Sequence, residues 1–313
     1  MKSKLLRSKW IVLASLVLLV FLSGCEGISV LDPKGPVAEK QYDLIIYSLW
    51  FMLGIIVVVF ALFTYMIIKY RENRPNRKES DYAPNLHGNK AIEVVWTVIP
   101  IIIVIMLSIP TVTTLFDLEK APEPVEAEPA KEPLVIHATT ADWKWFFSYP
   151  EQNIETVNYL HIPKDRPIEF KLTSADAMTA LWIPSLGGQK YNMAGMQTTL
   201  FLQADEEGVY DGRNSNFNGE GFAAQTFKVH AESESAFNEW VSNIQNESPK
   251  LTQKKYDELL KPGLTDIDSF SSTHLEYVNH ATREGMDYSV KRYRELFEQK
   301  LHLDKIKEEE TFQ

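Results

Sequence analysis

The sequence predicts a membrane-anchored chain built as a two-helix transmembrane hairpin, an exported antiparallel β sandwich or barrel, and a C-terminal helical arm. Three observations carry that reading. Two long apolar runs, residues 44–68 and 92–115, can each cross a hydrocarbon core of about 30 Å at roughly 1.5 Å per residue. After residue 133 the chain breaks into short β-favouring runs separated by turn residues, and after residue 231 the apolar spacing becomes helical.

Residues 1–24 read as an export signal. Lys2, Lys4, Arg7 and Lys9 precede an apolar run over 11–22, which ends in Leu22-Ser-Gly-Cys25. Basic, then apolar, then small residues is the plan of a cleaved signal peptide. The final four residues resemble a bacterial lipobox, so Cys25 is the expected lipid attachment site and mature N-terminus. Cys25 is the sole cysteine, which excludes an internal disulfide; its alternative role is that of a small buried residue.

Residues 25–118 hold the hairpin. The first run carries no charged side chain, while the second has Glu93 near its start and Pro100 and Pro110 inside it. Prolines are tolerated in membrane helices where neighbouring helices or hydroxyl side chains satisfy the freed carbonyls. Between the runs, Lys69, Arg71, Arg74, Arg77, Lys78 and Lys90 outweigh Glu72, Glu79 and Asp81, which places this loop in the cytoplasm and both mature ends outside. The export signal requires the same orientation.

Residues 119–133, rich in Pro, Ala and Glu, read as an extended linker. Within 134–231 the clearest strand candidates are 134–139, 159–162, 168–172, 198–202 and 226–229, several of which alternate apolar with polar as half-buried strands do. Within 232–313, helical spacing appears over 234–244, 256–260, 275–281 and 288–306, with a break at Pro262-Gly263. These segments are expected to form a polar arm beside the β domain, ending in a solvated Glu308-Glu-Glu310 tail.

The formal net charge of -10 argues against a nucleic-acid partner, which needs clustered Lys and Arg to neutralise phosphates. His87, His137, His161, His230, His274, His280 and His302 are scattered, without a cysteine or an i, i+4 pair to complete a metal site, and are expected to be structural or exposed. Gly219-Glu-Gly221 is too short for a phosphate loop, and no nucleophile elbow or paired-carboxylate hydrolase motif is evident.

Two stretches carry a resemblance. Gly208-Val-Tyr-Asp-Gly-Arg-Asn-Ser-Asn-Phe-Asn-Gly-Glu-Gly-Phe-Ala-Ala-Gln225 resembles the loop G-x-Y-x-G-x-C-A-E-Y-C-G-x-x-H-x-x-M, and Thr173 to Pro184 resembles S-A-D-V-x-H-S-F-W-x-P. Both belong to the cupredoxin domain in subunit II of haem-copper oxidases. His87-Gly-Asn-Lys-Ala-Ile-Glu93-Val-Val-Trp-Thr-Val-Ile-Pro100 is similar to that family's E-x-x-W-T-x-x-P, and Ala141-Asp-Trp-Lys-Trp-Phe-Phe-Ser-Tyr-Pro150 to its W-x-W-x-F-x-Y-P. The match covers about residues 25–245. The fold it implies for 134–231 is cupredoxin-like.

The scaffold of the copper loop is kept and its ligands are gone. The first His falls on Thr179, the two Cys on Asn214 and Asn218, the second His on Phe222 and the Met on Gln225. A binuclear copper centre needs bridging thiolates with imidazole and thioether ligands, and none of these is present. The resemblance is therefore to the quinol oxidase branch, and most to the aa3-type menaquinol oxidases of Gram-positive bacteria. It implies an accessory subunit of a proton-pumping quinol:oxygen oxidoreductase that binds no cofactor itself. Haems and copper are expected in subunit I, the partners are subunit I, the smaller membrane subunits and the bilayer, and no cytochrome c docks.

The resemblance makes Glu93 a proton-uptake candidate at the cytoplasmic mouth of a channel into subunit I; the plainer role is a helix-start carboxylate stabilised by the macrodipole. Trp143 and Trp145 occupy positions that relay electrons in copper-bearing relatives, but without copper they are expected to pack against the membrane face or subunit I. Two other functions stay open: a membrane-anchored cupredoxin-like lipoprotein acting as a binding module, and a copper-bearing cytochrome c oxidase subunit II.

Overall fold

The computed structural model describes residues 27–71, 88–122 and 131–311, with side chains described up to residue 298. The signal segment with Cys25, His87, most of the loop between the helices and much of the linker lie outside the described residues, as does the side chain of His302.

Helices α1 (Pro36–Tyr70) and α2 (Lys90–Asp117) are the two expected spans, each longer than its apolar run. Both are long and apolar enough to cross a membrane, and their most apolar stretches bury nothing inside the chain. Side chains so apolar on every face need lipid or another protein around them. Asn89 caps α2, its side chain accepting from the backbone N–H groups of Ala91 and Ile92.

The hairpin is rooted in the β domain. Lys34 N–H donates to the Ser185 carbonyl at 2.8 Å, and Asp205 N–H returns a bond to the Lys34 carbonyl at 2.9 Å. A Cβ on Gly35 would stand 1.9 Å from the Gln203 carbonyl oxygen, so only glycine lets the backbone pass here. Pro36 then opens α1 where a missing N–H is harmless, and Val37 is buried in the sandwich core. Where the chain leaves the hairpin, Leu118 packs against the same core after α2 ends.

The strands are β1 (Leu134–Ala141), β2 (Lys144–Tyr149), β3 (Ile154–Val157), β4 (Tyr159–Pro163), β5 (Ile168–Ser174), β6 (Thr179–Trp182), β7 (Lys190–Asn192), β8 (Thr198–Leu202), β9 (Gly208–Asn214), β10 (Thr226–Glu232) and β11 (Asp268–Phe270). They form a six-stranded sheet, β11-β3-β2-β1-β5-β8, and a five-stranded sheet, β4-β10-β9-β6-β7. The two pack as the cupredoxin-like sandwich that the resemblance implies. One expectation needs correcting: the sheets are mixed, since β1 pairs with β5 and β4 with β10 in parallel. Both pairs join strands whose connections cross between the sheets, which an up-and-down meander would not require.

Between the sheets lies a core of Trp145, Phe147, Tyr149, Phe170 and Phe227 with aliphatic neighbours. The arm supplies α3 (Glu234–Glu247), α4 (Gln253–Leu259) and α5 (Arg283–Thr311). Phe237, Val241 and Ile244 of α3, at helical spacing, join the sandwich core. Farther along, Leu251, Tyr256, Leu259, Phe270 and Val278 form a second core with Phe146 and Val157 on the outer face of the six-stranded sheet. The arm thus adds an edge strand and covers a face, so β2 is buried on both sides, each large side chain contributing about 2 kcal/mol by burial.

The helix expected over 275–281 does not form. Only a short 3-10 turn, His274–Glu276, stands there, because the His274 N–H is held by the Glu155 carboxylate at 2.9 Å and Asn279 turns the chain by accepting from Ala281 N–H.

Candidate functional site

Thr179 opens β6, Asn214 closes β9, Gln225 precedes β10, and Asn218 and Phe222 lie in the loop between. Four of these five positions are bound into hydrogen bonds. Asn214 accepts from the N–H groups of Ala180 and Asn216 and donates to the Asn216 carbonyl, all within 2.9 Å. Gln225 Oε1 accepts from Asn214 Nδ2 and Asn218 Nδ2, each at 2.9 Å. Thr179 pairs its hydroxyl with that of Thr140 at 2.9 Å. Phe222 meets Phe217 with ring centroids 5.6 Å apart.

Copper does not fit this arrangement. Gln225 Nε2 and Asn218 Oδ1, the buried atoms of the site without a partner among the described residues, are an amide nitrogen and an amide oxygen, neither a soft ligand. Among the described residues no group of three or more His, Cys, Asp or Glu side chains could hold a metal. An amide ladder occupies the place where a metal would cross-link β6, β9 and the loop.

The loop packs closely on Trp143 through Gly219, which the pattern keeps, and Gly221, which lies outside it. Its indole N–H donates to the Asn218 carbonyl at 3.3 Å, and a Cβ on Gly221 would come within 2.3 Å of the ring. Trp145 is fully buried, stacked with Phe147 at 6.0 Å and edge-on to Phe227 at 5.0 Å. It therefore faces neither membrane nor partner, which corrects the expectation for that residue.

Glu93 lies in the exposed first turn of α2, at the end of the hairpin away from the β domain. Its N–H donates to the Asn89 carbonyl at 2.9 Å, and its carbonyl accepts from Thr97 Oγ1 at 2.8 Å. The structure leaves Glu93 and the emptied loop separate.

Two polar clusters lie under the arm, built from residues far apart in the sequence. Glu155 Oε2 accepts from His274 Nδ1 and from Ser148 Oγ, each at 2.7 Å, with the His274 ring stacked on Tyr256 at 4.7 Å. His280 lies beyond Tyr256, whose hydroxyl is 2.8 Å from Nε2, and burial pushes this imidazole down to about 3. Both histidines are buried and hydrogen-bonded, and six-residue spacing hides the fact that both meet one tyrosine. In the second cluster, Asp142, Asp176 and Tyr293 converge beside the buried Lys144. Lys144 Nζ donates to the carbonyls of Asp142, Lys261 and Gly263 at 3.1, 2.8 and 2.6 Å, and burial lowers its pKa against the pull of Asp142 and Asp176.

Residues 25–114 match the family model described as cytochrome c oxidase subunit II, transmembrane domain. Over 286 residues the chain is 58% identical to quinol oxidase subunit 2 of Bacillus subtilis (strain 168), covering 91% of this chain and 87% of that one. The chain belongs to the quinol oxidase subunit 2 family. Quinol oxidase subunit 2 of Bacillus cereus (strain ATCC 14579) is 50% identical over 279 residues, covering 88% of this chain and 94% of the relative. The probable quinol oxidase subunit 2 of Staphylococcus epidermidis is 50% identical over 284 residues, covering 90% and 72%. Among solved structures, the periplasmic domain of subunit II of cytochrome oxidase of Bradyrhizobium japonicum superposes with a TM-score of 0.36 at 22% identity, covering 37% of this chain and 96% of that one. A quinol oxidase subunit 2 is part of an enzyme complex, which sets aside both the free-standing lipoprotein and the copper-bearing cytochrome c oxidase subunit.

Proposed function

We propose that this chain serves a membrane quinol oxidase as a metal-free scaffold and proton-uptake subunit. Electrons pass from a quinol dissolved in the bilayer directly to the haem-bearing subunit I, where the haems and copper reside. The chain assembles with that subunit and with smaller membrane subunits, and no cytochrome c docks on it. The observation that carries this reading is the amide ladder of Asn214, Asn218 and Gln225, which fills the position of a metal with mutually committed hard polar groups.

In this reading the positively charged loop between α1 and α2 faces the cytoplasm, the β domain and arm stand outside, and Cys25 is acylated after removal of residues 1–24. Glu93 then sits on the cytoplasmic side, where it takes up protons bound for subunit I.

The purified complex supplies the test. It is expected to reduce oxygen with a menaquinol analogue and not with reduced cytochrome c, and its copper content should equal what subunit I alone holds. A further mixed-valence copper signal in stoichiometry with this chain overturns the proposal.

A further inference from the structure

We propose that the C-terminal helix α5 is held to the β domain by a proton-dependent latch, in which Tyr293 closes over the carboxyl pair of Asp142 and Asp176. Asp142 sits in the turn between β1 and β2 with a left-handed φ of 39°, and Asp176 follows β5. The Asp142 N–H donates to Asp176 Oδ2 at 2.6 Å. The Tyr293 hydroxyl, reaching across from α5, contacts Asp142 Oδ2 and also stands 3.2 Å from Asp176 Oδ2. Two carboxyl groups therefore converge on one hydroxyl, and a hydroxyl has only one proton to give. With both carboxyls ionised, two like charges face each other under a helix, and a second proton relieves that repulsion.

No cation is bonded to the pair among the described residues. Among the described residues neither carboxylate forms an ion pair. The buried ammonium of Lys144 from β2 acts on both carboxyls through space, but its three donors are committed to backbone carbonyls. Arg292, next to Tyr293, turns its guanidinium to Asp257 and Glu295. Tyr256 of α4 also feels the Asp176 charge, but burial raises its own pKa well above the ordinary value, so it stays neutral. His280, which bonds Ser289 of α5, is held neutral by burial down to about pH 3 and does not titrate in the relevant range.

Burial, and then the neighbouring Asp142, push Asp176 up from 3.8 to about 6. A carboxyl whose pKa is raised in the docked state favours docking at low pH, and the advantage is lost as pH rises through the docked value. From about pH 4.5 to about pH 7 the docking equilibrium should weaken on the order of 20-fold.

Hydrogen exchange over residues 283–298 in the intact oxidase, corrected for the pH dependence of the intrinsic rate, tests the latch. Protection of α5 should fall about 20-fold across that range. Asp176→Asn, which removes one like charge and keeps an acceptor for the Asp142 N–H, should hold α5 more tightly at neutral pH and abolish the pH response; Asp142→Asn, which leaves Asp176 buried, should shrink that response without abolishing it. Tyr293→Phe should loosen α5 most at low pH. A flat response in the natural chain, or loosening by Asp176→Asn equal to that of Tyr293→Phe, overturns the proposal.

Discussion

The Tyr47 hydroxyl on α1 donates to the Met106 carbonyl on α2 at 3.3 Å. Met106 lies four residues before Pro110, so its carbonyl is the one that the proline leaves without a helical partner. On the same turn, Thr111 Oγ1 donates to the Leu107 carbonyl at 2.8 Å, and Thr113 Oγ1 bridges the carbonyls of Ile109 and Pro110 at 3.1 and 3.0 Å. A proline deep in a membrane helix thus becomes a point of contact between the two spans.

Tyr47→Phe keeps the ring and removes only the donor, so it should weaken the hairpin by about 1 kcal/mol, the scale of one hydrogen bond between membrane helices. In a Pro110→Ala background the restored N–H takes over the Met106 carbonyl, and the same change should become nearly neutral. Thermal denaturation of the assembled complex across the four-member cycle measures both. Equal losses in the two backgrounds would show that the hydroxyl does not serve the proline-freed carbonyl.

At the emptied copper loop, Gln225→Met restores the residue of the copper pattern and nearly conserves volume. It should nevertheless destabilise the loop by about 2–4 kcal/mol, because the amides of Asn214 and Asn218 both lose a buried acceptor. Phe222→Leu, at another former ligand position, should have a much smaller effect, since Phe222 takes no part in the ladder. Hydrogen exchange over residues 208–225 distinguishes the two variants, and equal protection in both would deny the ladder a structural role.

The parts of the fold that could be read in advance are those whose burial is one-sided. The strand β1 shows its alternation in Leu134, Ile136 and Ala138, all fully buried, and the two spans show as unbroken apolar runs. Strand β2 escaped notice because Trp145 and Phe147 face the sandwich while Lys144, Phe146 and Ser148 lie under the arm, which erases alternation. Strand β9 was hidden for another reason: its buried positions are Tyr210, Gly212 and Asn214, and Gly212 is small because a Cβ there would enter the Phe227 ring at 2.1 Å. The loss of ligands at the copper loop could be read residue by residue, but not the ladder that replaced them. Glu155 and Tyr293 carry no local signal at all, since their partners His274 and Asp142 are 119 and 151 residues away.

The proposed lipidation of Cys25 makes a separate prediction. Mass spectrometry of the mature chain should find an acylated N-terminus at Cys25. Cys25→Ser should abolish the lipid while the chain stays in the membrane, because α1 and α2 anchor it independently. Release of the variant from the membrane would contradict the assignment of the two spans.

The final prediction concerns Glu93, whose exposed place in the first turn of α2 suits two roles of very different size. As a helix-start carboxylate it interacts with the macrodipole for about 0.5 kcal/mol, too little to govern assembly of a large complex. As a proton donor to subunit I it would act on every turnover, and replacing it with an amide should slow oxygen reduction by about tenfold or more. Glu93→Gln is nearly isosteric and leaves the backbone bonds to Asn89 and Thr97 in place, so assembly and haem content should stay near normal. Turnover per haem in the assembled variant separates the two roles. A fall at fixed haem content, with an altered pH profile, is the outcome expected of a proton-uptake group. Normal turnover with unchanged assembly would reduce Glu93 to its helix-start contribution.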